Sequence, residues 1–181
     1  LGVEPEYTEY DLTRLFTSQS LNNTGDSDLA YGKRIARLLG YDLDYEEGMT
    51  DESPVRAQYP PAGSPFGYYG TYWVSESGAL PEDYVEVPDF TGMSFDEAFA
   101  AAEEAGVNIR LVGANRMGGV TSQNVTANMD YQLAEGSVGP EVDPATTTEG
   151  ILVRKYSLID VHFDGSGQEG PQNDGSIIDG M

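Results

Sequence analysis

The chain has 181 residues, with 31 Asp and Glu against 9 Lys and Arg, a formal net charge of −22. Such a charge repels phosphate backbones and anionic headgroups, which excludes nucleic acid as a partner, and no apolar run approaches the length of a membrane span, which excludes membrane insertion. The absence of cysteine removes disulfides and thiolate metal sites, while 39% hydrophobic residues and 12 Tyr leave enough apolar surface for ordered cores.

Residues 1–20 form an N-terminal extension whose Leu1 start predicts a trimmed or processed chain. From Asp28 to Leu39, Leu29, Ile35, Ala36 and Leu39 share one stripe, and Gly40 follows as a C-terminal cap, so a short amphipathic helix is expected. Lys33, Arg34 and Arg37 lie off that stripe and form a candidate docking point for an acidic surface. An acidic, turn-rich stretch follows. Its Asp42, Asp44, Glu46 and Gly48 approach a calcium-loop pattern, but the glycine falls one place late and no glutamate closes the loop, so a solvated acidic turn is expected.

Between Val55 and Ser75, prolines and glycines punctuate an aromatic run, which predicts a β-hairpin. The group Phe66, Tyr68, Tyr69, Tyr72 and Trp73 offers large apolar area with polar tips; alternation commits about half of it to a core. Tyr68, Tyr69 and Tyr72 are the candidate contact residues, alongside Lys33, Arg34 and Arg37. Residues 77–86 read as a linker.

A second helix is expected from Phe95 to Ala105, opened by Ser94 and Glu97 in capping-box spacing and closed by Gly106. Its stripe positions lie 66 residues after those of the first helix, and a Thr-Gly pair precedes both, which predicts an internal repeat. Two further strand segments are expected, Val120 to Ala127 and Ile151 to Phe163. Residues 164–181, rich in Gly, Asp and Ser, predict an extended tail with Ile177 and Ile178 as its docking points.

The run Val87-Pro88-Asp89-Phe90-Thr91-Gly92-Met93-Ser94, with the helix through Glu104-Ala105-Gly106-Val107, resembles the opening of a PASTA domain. Val55-Arg56-Ala57-Gln58-Tyr59-Pro60-Pro61-Ala62-Gly63, followed by Phe66 and Gly70, resembles the closing hairpin of the same family. In the second half that closing signature is either Val120 to Gln123 or the run from Val138 through Pro144 and Gly150 to Val153. The expected fold class is α+β: two PASTA-like modules, residues 21–76 (degenerate) and 87–163 (with an insertion), each one helix on a short antiparallel sheet.

The resemblance implies a non-catalytic, extracytoplasmic module that contacts peptidoglycan or other protein subunits, the latter including a homo-oligomer. The alternative is a structural subunit of a large assembly such as a phage virion, held through its termini. The residues support no enzyme and no cofactor. A penicillin-binding site lacks its Ser-x-x-Lys and Lys-Thr-Gly elements, and His162, the single histidine, lies on a strand without a sequence partner. Acidic pairs are too numerous for any one of them to mark a glycosidase.

Overall fold

A computed structural model describes residues 28–61, 63–65, 70–113, 116–134 and 142–164. Helix α1 (Leu29–Leu39) starts at Asp28, whose carboxylate accepts the Tyr31 amide at 2.9 Å, and stops at Gly40 with φ of 86°. Helix α2 (Phe95–Ala105) carries the full capping box, with Ser94 and Glu97 exchanging side-chain and backbone hydrogen bonds, and stops at Gly106 with φ of 87°. Both ends are written locally: short polar side chains take orphan amides, and glycine takes the left-handed residue.

Each helix leads into a three-stranded sheet of the same topology. In the first, β1 (Asp42–Tyr45) runs parallel to the central β3 (Thr71–Ser75), and β2 (Ala57–Tyr59) pairs antiparallel on its other side. In the second, β5 (Asn108–Val112) runs parallel to the central β9 (Leu158–Phe163), with β6 (Val120–Val125) antiparallel. Asp42 and Asn108 open the two parallel strands, again 66 positions apart. Two hydrophobic clusters result. Leu29, Ala36, Tyr72 and Val74 fill the first, with Ile35 packed against it; Ala98, Ala102, Ile109 and Val161 fill the second, with Ala101 in the corresponding place. One fold is thus used twice.

The sheets also fix the closing signature. Gln58 lies opposite Val74 and Gln123 opposite Val161, so Val120 to Gln123 is the counterpart of Val55 to Gln58. Gln58 and its partner are 16 positions apart and Gln123 and its partner 38, so the second module carries 22 additional residues there. This insertion supplies β7 (Tyr131–Leu133) and β8 (Ile151–Arg154), which with β4 (Tyr84–Glu86) build a third, antiparallel sheet in the order β4-β8-β7.

Four details differ from the sequence reading. The sheets of the two modules are mixed and not antiparallel, because β1 and β5, entering directly from their helices, each join the central strand in parallel. The acidic stretch after α1 is strand β1 and not a turn, because its backbone pairs with β3. The segment Ile151 to Phe163 is two strands in different sheets, broken at Lys155–Ser157. The end of the 77–86 connector is strand β4, held by β8. The tail residues 165–181 and the first 27 residues lie outside the described residues.

A candidate binding groove at the module joint

The break between β8 and β9 brings the two modules together. Tyr156, at φ of 77°, occupies the left-handed region that an aromatic residue rarely adopts, and such backbone persists only where surroundings over-determine it. Here its amide donates to the Gly106 carbonyl at 2.7 Å and its carbonyl accepts from Asn108 Nδ2 at 2.8 Å. Its ring stacks on Trp73 of the first module at 6.1 Å between centroids, and its hydroxyl donates to the Asp44 carboxylate. Burial, reinforced by the hydrogen bond to Asp44 and the charges of Asp44 and Asp83, pushes the Tyr156 phenol well above its usual range. The hydroxyl therefore stays a donor.

Two further side chains lock the joint. Asn108 accepts the Thr71 amide at 2.8 Å and donates to the Thr71 carbonyl at 2.9 Å, imitating a strand backbone across the modules. Gly70 permits that approach: a Cβ there would lie 1.8 Å from Asn108 Oδ1. Tyr59, at the end of β2, inserts into the second module's core, where its hydroxyl bonds Ser157 Oγ at 2.9 Å and accepts the Asp130 amide at 2.8 Å. Arg154 reaches the Asp130 carboxylate at 2.8 Å with its guanidinium 5.1 Å from the Tyr84 ring centre.

A groove of about 320 Å³ opens beside Tyr156, lined by Trp73, Leu80, Pro81, Glu82, Asp83 and Lys155. Trp73 is half-buried, with Nε1 directed to the Ala79 carbonyl at 3.3 Å, and Lys155 Nζ lies 5.2 Å from the Tyr156 ring centre. Glu82 and Asp83 are exposed on the rim. Glu46, also on the groove, is already occupied: it accepts the Glu76 and Ser77 amides at 3.0 Å each and the Ser77 hydroxyl, and these hydrogen bonds hold its carboxyl below the usual range. The arrangement offers an aromatic wall, one ammonium and two rim carboxylates, suited to holding a ring-bearing polar ligand. A second groove, about 750 Å³, lies between the Val87–Thr91 loop, β6 and the approach to β8. Gln123 braces its floor, accepting the Phe90 amide and donating to the Pro88 carbonyl and Thr148, each at 2.7 Å.

The residues singled out from sequence fall elsewhere. Tyr68 and Tyr69, with Phe66, lie outside the described residues. Tyr72 is a correction: it is fully buried in the first core, edge-on to Tyr41 at 4.5 Å, because its neighbour Trp73 takes the outward phase of β3. Lys33 pairs with Asp51 at 3.0 Å and covers the Tyr45 ring, Arg34 covers Tyr31, and Arg37 is exposed; all three ride on α1 and none lines the groove. Asp44 and Glu46 face separate partners and build no cation loop. His162 bonds Asn124 at 2.8 Å, while the neighbouring Asp160 is engaged by Arg110 and Thr126. Tyr156, Lys155 and Asn108 were not found by sequence reasoning, since nothing local marks a tyrosine for positive φ or an asparagine for a distant strand.

Residues 85–138 match the PASTA domain model, a family of non-catalytic binding modules. The extracellular region of the Ser/Thr kinase PrkC from Staphylococcus aureus is similar at 13% identity, over 88% of this chain and 72% of that one, with a TM-score of 0.23. The three-PASTA-domain of a Ser/Thr kinase from the same organism is similar at 13% identity, over 81% and 97%, with a TM-score of 0.22. No curated protein matches. Among the described residues no helix is long and apolar enough to cross a membrane.

Proposed function

We propose that this chain, tandem PASTA-like modules with the family match at residues 85–138, is an extracytoplasmic binding element for peptidoglycan fragments that performs no catalysis of its own. The observation that carries the reading is the groove at the joint, where the Trp73 face, Lys155 and the rim carboxylates Glu82 and Asp83 converge. Sugar rings stack on an indole through their C–H faces, hydroxyls donate to carboxylates, and an ammonium takes a peptide or lactyl carboxylate. The two modules act as a single support, because Tyr59, Asn108 and Tyr156 tie the groove's walls together. A virion subunit held by its termini would rest on residues outside the described ones, and no contact among the described residues favours it.

Trp73 is the sole tryptophan, so ligand binding reads directly in its emission. Titration with soluble disaccharide-peptide fragments from purified sacculi is expected to change that emission saturably, and K155A is expected to weaken binding about tenfold, the loss of one charge-assisted hydrogen bond. Flat emission up to millimolar fragment, with no cosedimentation on intact sacculi, would rule the reading out.

A further inference from the structure

The internal repeat makes α1 and α2 equivalent, yet their outward faces carry opposite charge. Ala30, Arg34, Arg37 and Leu38 occupy the positions that Asp96, Ala100, Glu103 and Glu104 occupy 66 residues later. Over its full length α1 holds three cations and no carboxylate, while α2 holds four carboxylates and no cation. Arg34, Arg37 and all the acidic residues of α2 are exposed. Among the described residues the ion pairs are Lys33–Asp51, Arg110–Asp160 and Arg154–Asp130, and neither the outward arginines nor Glu103 and Glu104 take part in one.

Two features make a solvated face an incomplete account. Glu103 and Glu104 stand in the last turn of α2, where the negative end of the helix dipole opposes a carboxylate, so the isolated molecule holds them at a cost that an incoming cation removes. On the opposite-charged stripe Leu38 is 78% exposed, the largest exposure among the big hydrophobic side chains described. Ala100 is the small apolar position within the acidic stripe and accommodates such a side chain, with Arg34 and Arg37 flanking it.

We infer that the basic face of α1 docks on the acidic face of α2 in a second copy of this chain, giving head-to-tail self-association. The contact joins two different patches, so each copy leaves one of each free and the assembly extends. The formal net charge of −22 opposes any meeting of two copies, but at physiological salt the screening length is about 8 Å, which removes the long-range repulsion and leaves contacts at bonding distance. The basic face of α1, which carries no carboxylate, is then a patch on which an acidic copy gains from approaching.

Sedimentation velocity of the full chain in 0.15 M NaCl, over a concentration series, tests this. The wild type is expected to associate, with at least a tenfold loss of the association constant in 1 M NaCl. R34Q/R37Q and E103Q/E104Q are each expected to be monomeric, because each removes the charge of one patch without reversing it. Mixed together they should form a 1:1 dimer that grows no further, since one retains the acidic face and the other the basic. L38S, which removes no charge and touches no core, should weaken association about tenfold and guards against a charge variant that fails to fold. A wild type that stays monomeric throughout, or association indifferent to these variants, would overturn the inference. So would retention of a monomeric wild type on an anionic polymer through Arg34 and Arg37, which would transfer the face to a foreign polyanion.

Discussion

Replacing Asn108 by Ala isolates the joint from the modules it connects. The side chain makes three hydrogen bonds, with the Thr71 amide, the Thr71 carbonyl and the Tyr156 carbonyl, at 2.8, 2.9 and 2.8 Å. At about 1 kcal/mol net for each, the loss is about 3 kcal/mol. With a urea m-value of about 2 kcal/mol/M, the midpoint should fall by about 1.5 M. Trp73 emission reports the event directly, since its ring stacks on Tyr156 next to the lost bonds. N108D is the sharper variant. It keeps the volume but sets a carboxylate against two carbonyls, so the introduced group's pKa is raised in the folded state. Its cost should exceed that of N108A at pH 7, shrink as pH falls through the raised folded value, and be smallest below about pH 4, where the carboxyl holds a proton to donate. A midpoint within 0.3 M of wild type for both variants, with Trp73 emission unchanged, would refute the idea that Asn108 couples the modules.

Other consequences are independent of that residue. Y59F should lose about 2 kcal/mol in the same urea assay, because Ser157 Oγ and the Asp130 amide both lose a buried partner. Glu46 has a depressed carboxyl, so it stabilises the fold above its unfolded pKa of about 4.3 and ceases to do so as pH drops through the folded value; E46Q should flatten the acid limb of the stability profile below about pH 4.5. Tyr156 is the reverse case. Its raised phenol contributes stability that is complete below about pH 10 and disappears as pH rises towards the folded value, so Y156F should make alkaline unfolding shallower above pH 10. S94A should cost about 1 kcal/mol by removing the cap from the Glu97 amide, measured by thermal melting.

The features legible in the sequence are those encoded over a few residues. Asp28, Ser94, Glu97, Gly40 and Gly106 act on neighbours within one turn, so both helices and their limits could be read from spacing alone. The repeat was legible because the apolar stripe returned at a constant offset. The third sheet was not: β4 and β7 have three residues each, too few for a period, and β4 finds its partner in β8, across the whole second helix and insertion. Tyr72 and Trp73 show the same limit on a smaller scale. Alternation required one of them to be core, and only the packing of Tyr41 and Leu29 around β3 decided which. The groove was illegible for that reason too, since it exists where Trp73 of one module meets Tyr156 and Lys155 of the other.

The most direct test follows the indole N–H of Trp73 by nitrogen–proton correlation spectroscopy during addition of disaccharide-peptide fragments. One indole signal is expected, and it should move with the amides of Leu80, Asp83, Lys155 and Tyr156 while those of α1 stay still. An indole signal that holds its position at saturating fragment, or shifts confined to the groove at Gln123, would contradict a binding site at the joint.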